Sequence, residues 1–241
     1  MAKTYDLDAP LKDLLEVARR DFGKVSFETF SQGKTSLNLL QILDMPAYLD
    51  RLVAKTRPGS PVELPLWAKV WPSASILAMF LSRFQVRTDA EVLEIGAGTG
   101  LAGLVLAAQG CRVTLTDIEP GALLFCRINA LKNGLEDRVE VAQVDFTADT
   151  LDKRFDFILA SELIYKERVL APLVDFLHGH IKPEEGCEVF MASDAQREGR
   201  MFFELAQTRF KMMRKDIPFK DSETGKTKTV SLYRLGGNSP C

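Results

Sequence analysis

A chain of 241 residues suits one large α/β domain, alone or with a small appendage. Hydrophobic residues at 46% and charged residues at 27% point to a packed soluble core, and a net charge of −2 argues against general affinity for nucleic acid, a local basic patch aside. Apolar runs are strand-length or broken by charge, so no membrane span is expected, and Met1-Ala2-Lys3-Thr4-Tyr5-Asp6 lacks the apolar core of a signal peptide.

Residues 7–20 set Leu7, Leu11, Leu14, Leu15 and Ala18 at helical spacing. Residues 25–30 and 35–42 then read as strands around a Ser31-Gln32-Gly33-Lys34 turn, and residues 46–55 as a short helix. The cluster Arg57-Pro58-Gly59-Ser60-Pro61 breaks the chain. Residues 1–62 are therefore expected to form an N-terminal extension, a helix plus a β-hairpin, on a main domain spanning residues 63–241. The hairpin is either a lid on the core or a selector of substrate. Leu66-Trp67-Ala68-Lys69-Val70-Trp71-Pro72-Ser73-Ala74-Ser75 leads into a helix reaching about residue 84, with Pro72 tolerated in its first turn. Trp67 and Trp71 either pack in the core or wall one end of a ligand bound nearby.

Glu91-Val92-Leu93-Glu94-Ile95-Gly96-Ala97-Gly98-Thr99-Gly100-Leu101-Ala102-Gly103 is the stretch around which the main domain is organised. It reads as a buried strand, a tight turn and the start of a helix. Glycine is needed where the backbone takes positive φ or lies against a ligand, and the free N–H groups of the helix can face a polar or anionic group. Gly98-x-Gly100-x-x-Gly103 fits the dinucleotide fingerprint, with Asp117 near the position of a ribose acid. The longer string Glu94-x-Gly96-x-Gly98-x-Gly100 resembles motif I of the class I S-adenosylmethionine-dependent methyltransferases. There the turn holds an amino-acid end that carries an ammonium, so Glu94 is useful beside it, whereas beside a pyrophosphate it would repel.

Strands at 112–116, 139–144, 155–160 and 187–192 alternate with helices at 119–132, 166–178 and 197–208. Strands at 210–217 and 228–235 close the chain without a helix between them. The expected fold is α/β: a seven-stranded, mostly parallel, Rossmann-like methyltransferase sheet with its last strand antiparallel. His178 and His180, two apart, are expected to be solvent-exposed at a helix end rather than a ligand pair. Cys111, Cys126, Cys187 and Cys241 form no Cys-x-x-Cys pair and read as reduced thiols of a cytoplasmic protein.

Ligands of such sheets bind outside the carboxyl ends of the strands, and successive ends here carry Glu94, Asp117, Asp145 and Glu162. Asp117 is placed to accept both hydroxyls of a ribose, or to cap the helix at 119–132. Ile118 would flank an adenine, Asp145 accept from its amino group, and Phe146 stack on the ring or fill the core beneath. Ser161, ending the fourth strand, joins the expected cofactor contacts.

Val70-Trp71-Pro72-Ser73-Ala74, the glycine turn, Thr116-Asp117-Ile118-Glu119 and the acid-x-x-Tyr of Ala160-Ser161-Glu162-Leu163-Ile164-Tyr165 together resemble methyltransferase family 16. These are seven-β-strand protein methyltransferases that act mostly on lysine. The resemblance spans about residues 67–177; residues 1–60 carry no matching motif. It implies S-adenosylmethionine as cofactor, with Trp71, Asp117 and Phe146 on the family's tryptophan, ribose acid and aromatic position, the last usually tryptophan. It implies a protein substrate and N-methylation, with the family's Asp-x-x-Tyr falling on Glu162-Leu163-Ile164-Tyr165. Glutamate replaces aspartate there, as in a related branch that methylates a protein histidine. Glu162 would orient the attacking nitrogen in an in-line displacement, and Tyr165 would line the acceptor channel or pack as a helix-start residue. No metal is required. Methylation of a small amine, or cofactor binding by a non-catalytic partner protein, are the other readings of the same residues; nothing in the sequence fixes the oligomeric state.

Overall fold

The strand alternation Val92-Leu93-Glu94-Ile95 lies at the centre of the molecule. In a computed structural model, which describes residues 4–57, 59–60, 62, 64–196, 200–221 and 224–237, this segment is the middle of a seven-stranded sheet. The chain begins with α1 (Leu11–Phe22), β1 (Val25–Gln32), β2 (Thr35–Ile42) and α2 (Met45–Lys55). A single 3-10 turn, Leu66–Ala68, precedes α3 (Pro72–Leu81). Then come β3 (Glu91–Ile95), α4 (Leu101–Ala108), β4 (Arg112–Asp117), α5 (Pro120–Lys132) and β5 (Val139–Gln143). The remainder is β6 (Phe157–Ser161), α6 (Glu167–His180), β7 (Glu188–Asp194), α7 (Arg200–Ala206), β8 (Phe210–Lys220) and β9 (Thr227–Gly237). The sheet order is β5-β4-β3-β6-β7-β9-β8, with β9 antiparallel to both neighbours and the other pairings parallel.

Period-two alternation sends Val92 to the face covered by α3 and α4, and Leu93 and Ile95 to the face covered by α6. The last hairpin runs three residues further than expected along β8, through Pro218. A proline is tolerated there because β8 is the sheet edge.

β1 and β2 form a separate two-stranded sheet, and the edge of β2 is met by side chains of α5 and of its C-cap Asn133 rather than by a strand. Asn133 Oδ1 accepts from the Asn38 N–H at 2.8 Å, Asn133 Nδ2 donates to the Asn38 carbonyl at 2.9 Å, and Asn129 Oδ1 accepts from the Leu40 N–H at 2.7 Å. One hairpin face, with Leu40 and Ile42, joins Leu14, Ala18 and Phe22 of α1 and Phe125 of α5. The other, with Leu37 and Leu39, joins the cluster under α3 and α4.

The structure corrects one expectation about the histidines. His178 is exposed, but His180 is buried: its Nδ1 lies 2.7 Å from the Phe176 carbonyl, and its Nε2 accepts from the Leu151 N–H at 2.8 Å. The imidazole bridges a helix end to a loop, a long-range tie that spacing does not reveal. Cys111, Cys126 and Cys187 are buried free thiols, while Cys241, Pro58, Pro61 and residues 197–199 of the expected seventh helix lie outside the described residues. Among the described residues no helix is long and apolar enough to cross a membrane.

Candidate active site

Three glycines shape the turn after β3, with φ of 59° at Gly96, 56° at Gly98 and 77° at Gly100. These are left-handed values that side chains disfavour. A Cβ on Gly98 would lie 2.9 Å from the Trp67 carbonyl oxygen, and one on Gly96 2.7 Å from the Leu163 side chain. The turn is pinned from below. Asp117, buried at the end of β4, accepts from the Gly98 N–H at 2.9 Å through Oδ2 and from the Glu119 N–H at 3.0 Å through Oδ1. Burial raises its pKa against those hydrogen bonds. Asn129 Nδ2 donates to the Thr99 carbonyl at 2.9 Å, and the Cys126 thiol lies 3.4 Å from the Gly98 carbonyl.

Glu94 stands differently from the expectation that it faces a ligand. It shares a strand face with Val92, so its side chain passes under α4, where Oε2 accepts from the Gly103 N–H at 2.7 Å. Burial pushes its pKa up to about 8, against the pull of the Gly103 and Ala102 N–H groups. Glu94 thus caps α4 from within the core, and one of the N–H groups expected to face an anion is already taken.

Along the rim, Ile118 is exposed and its carbonyl accepts from Gln143 Nε2 at 2.9 Å. Asp145 Oδ1 accepts from the Thr147 N–H at 2.9 Å and from its hydroxyl at 2.6 Å, which shapes the loop after β5. Phe146 is half-buried, its ring 6.4 Å from that of Phe176, so it both borders the rim and fills the core.

A cavity of about 720 Å³ reaches Leu101, the residue directly after the turn. Trp71, Pro72, Ser73, Leu101, Glu162 and Asp194 are among its lining residues. Glu28, Phe30, Leu39 and Gln41 of the first hairpin, with Phe219, Lys220, Asp221 and Lys228 of the last, complete the lining. Trp71 is held by its indole N–H, which donates to the Leu66 carbonyl at 2.8 Å, and Lys69 Nζ lies 5.7 Å from its ring centroid.

Glu162 comes directly after β6 with φ of 57°, a left-handed conformation rare for a side chain with a Cβ. Its N–H donates to the Ala192 carbonyl at 2.9 Å and its Oε1 accepts from the Asp194 N–H at 3.0 Å, so the end of β7 fixes the carboxylate. Ser161 ends β6 half-buried beside it. Tyr165 does not share the cavity. It is half-exposed, with Lys166 Nζ 5.5 Å from its ring, in a second groove of about 530 Å³ between α6 and α7. Ser73, Lys69, Asp194 and the wall formed by the last hairpin were not singled out from sequence, whereas the first hairpin was read as a lid on the core or a selector of substrate. Only Asp194 left a signal, as the acid that ends the next strand after the four-membered rim.

A glycine turn at the carboxyl ends of parallel strands, with left-handed φ at Gly96, Gly98 and Gly100, backbone too close to Gly98 for a Cβ, and a buried acid on the neighbouring strand as brace, fits the aminoacyl-nucleoside S-adenosylmethionine. Fold and site define a class I S-adenosylmethionine-dependent methyltransferase. The family described as lysine methyltransferase, methyltransferase family 16, matches residues 66–209, and the chain belongs to that family. It is 37% identical over 151 residues to the protein N-lysine methyltransferase METTL21A of Danio rerio, covering 58% of this chain and 67% of that protein. It is 36% identical to METTL21A of Xenopus tropicalis over 122 residues, 48% of this chain and 56% of the relative. Solved structures share the fold at low identity. The glycopeptide N-methyltransferase MtfA with sinefungin aligns at a TM-score of 0.56 and 17% identity, over 81% of this chain and 99% of that one. The ribosomal protein L11 methylase of Lactobacillus delbrueckii subsp. bulgaricus aligns at 0.55 and 21%, over 70% and 81%.

Proposed function

We propose that the chain methylates the side-chain nitrogen of a lysine in a protein acceptor, with Glu162 holding that nitrogen in line. One observation carries this reading: a carboxylate clamped by the Asp194 N–H in a cavity that adjoins the glycine turn. The relatives' names support lysine as the target. S-adenosylmethionine supplies a methyl group on a sulfonium when bound. Asp117 retains lone pairs beyond its two backbone bonds for ribose hydroxyls, Ile118 and Phe146 flank the base, and Asp145 meets its amino group. Gly96, Gly98, Gly100, Ser161 and Trp71 border the aminoacyl end, and Glu94 acts indirectly by fixing α4. Lysine is protonated near neutral pH and attacks only as the amine, so its proton passes to water while Glu162 accepts a hydrogen bond and aims the lone pair. As a carboxylate Glu162 also favours the ammonium, which makes orientation its main role. Tyr165, in the neighbouring groove, receives residues flanking the lysine. Residues 1–62 serve as an extension that walls the acceptor side, and three reduced thiols fit the cytoplasm.

The test is transfer of labelled methyl from S-adenosylmethionine to proteins of a cell lysate, then hydrolysis and separation of methylated amino acids. Methyl-lysine is the expected product. Methylhistidine would move the target to histidine, and label confined to small molecules would overturn a protein acceptor. Glu162→Gln should lower kcat by about 100-fold or more while affinity for S-adenosylhomocysteine stays within about twofold. Unchanged turnover would remove Glu162 from the chemistry.

A further inference from the structure

We infer that the N-terminus of α3, with the Ser73 hydroxyl, receives the carboxylate of the cofactor's amino-acid end. The inference rests on the cofactor and not on which acceptor is methylated. Three observations converge. Ser73 lies in the cavity wall, is wholly buried, and its Oγ has no hydrogen-bond partner among the described residues. A buried hydroxyl left unpaired is costly and calls for an explanation, which a ligand oxygen supplies. Second, Ser73 is the second residue of a ten-residue helix. Pro72 has no N–H, the first bond of the helix runs from Ser75 to Trp71, and the N–H groups of Ser73 and Ala74 come before it. The positive end of the helix dipole therefore lies beside the orphan hydroxyl, and Lys69 also lines the cavity.

Third, the rival anion site is partly taken: the turn runs into α4, yet Glu94 already accepts from the Gly103 N–H there. The cavity lining combines Ser73, Lys69 and the α3 terminus with the carboxylates of Glu162 and Asp194. A zwitterionic amino-acid end fits that arrangement with its carboxylate toward α3.

Calorimetric titration with S-adenosylhomocysteine and with its decarboxylated analogue, S-adenosyl-3-thiopropylamine, tests the inference. Wild type should favour the carboxylate-bearing ligand by about tenfold or more. Ser73→Ala should weaken S-adenosylhomocysteine by about tenfold, leave the analogue within about twofold, and leave the melting temperature of the ligand-free protein unchanged or higher. Ser73→Asp, which sets a negative charge at the site, should discriminate against the carboxylate more strongly still. Equal losses for both ligands in Ser73→Ala, or no loss for either, would overturn the assignment.

Discussion

Glu94 carries an acid where strand periodicity demands a core residue, and its titration is set by that position. Burial is the main cause of its elevation from 4.5 to about 8; the charge of Asp117 adds to it, and the N–H groups of Gly103 and Ala102 oppose it. The folded chain keeps a proton that the unfolded chain releases, so this group's contribution to stability is full below about pH 4.5 and declines as pH rises to about 8. Glu94→Gln retains an acceptor oxygen for the Gly103 N–H and has no charge to bury. The melting temperature of the variant relative to wild type should therefore rise by several degrees between about pH 5 and pH 8.5, since the Asp117 titration is common to both proteins. A difference independent of pH would mean that Glu94 is not charged at the expense of folding.

At the scale of elements, α5 does more than cover the sheet. Asn129, fully buried, spans from the Leu40 N–H of β2 to the Thr99 carbonyl of the glycine turn, so one side chain ties the first hairpin to that turn. Asn129→Ala strands a buried donor and a buried acceptor, and should cost about 2–4 kcal/mol in urea unfolding. Affinity for S-adenosylhomocysteine should fall with it, because Thr99 loses its anchor. Full stability in the variant would show that water replaces the amide. None of this was visible in the sequence, where Asn129 is one polar residue in a helical run. What was legible is local: the apolar runs, the glycine turn and Asp117 lie within about thirty residues of one another, and their chemistry is written in their spacing. The inward turn of Glu94, the burial of His180, the separation of Tyr165 from Glu162 and the orphan hydroxyl of Ser73 depend on segments brought together from far along the chain. So does the length of β8, where an edge position neutralises the warning that Pro218 gives.

For the molecule as a whole, the cavity draws part of its lining from the first and the last hairpin. β1 and β2 stand on one side of the cavity and the tip of the β8–β9 hairpin on another, with Lys228 paired to Asp221 at 2.6 Å to hold that tip. A hairpin that only covered the core would present apolar residues and little else, yet the first hairpin adds Glu28 and Gln41 to the cavity lining. Glu28 is exposed and makes no ion pair among the described residues, so it contributes charge without supporting the fold. A lysine-bearing segment approaching Glu162 and Asp194 would be drawn by that charge over roughly a Debye length, about 8 Å at physiological salt. Glu28→Lys should leave the melting temperature within about a degree and the affinity for S-adenosylhomocysteine unchanged, as expected of a surface change away from the glycine turn. The KM for the labelled acceptor protein should rise by about fivefold, and that rise should shrink in about 0.5 M salt, where exposed charges are screened. An unchanged KM would leave the hairpin as a cover for the core and move acceptor selection to the β8–β9 tip.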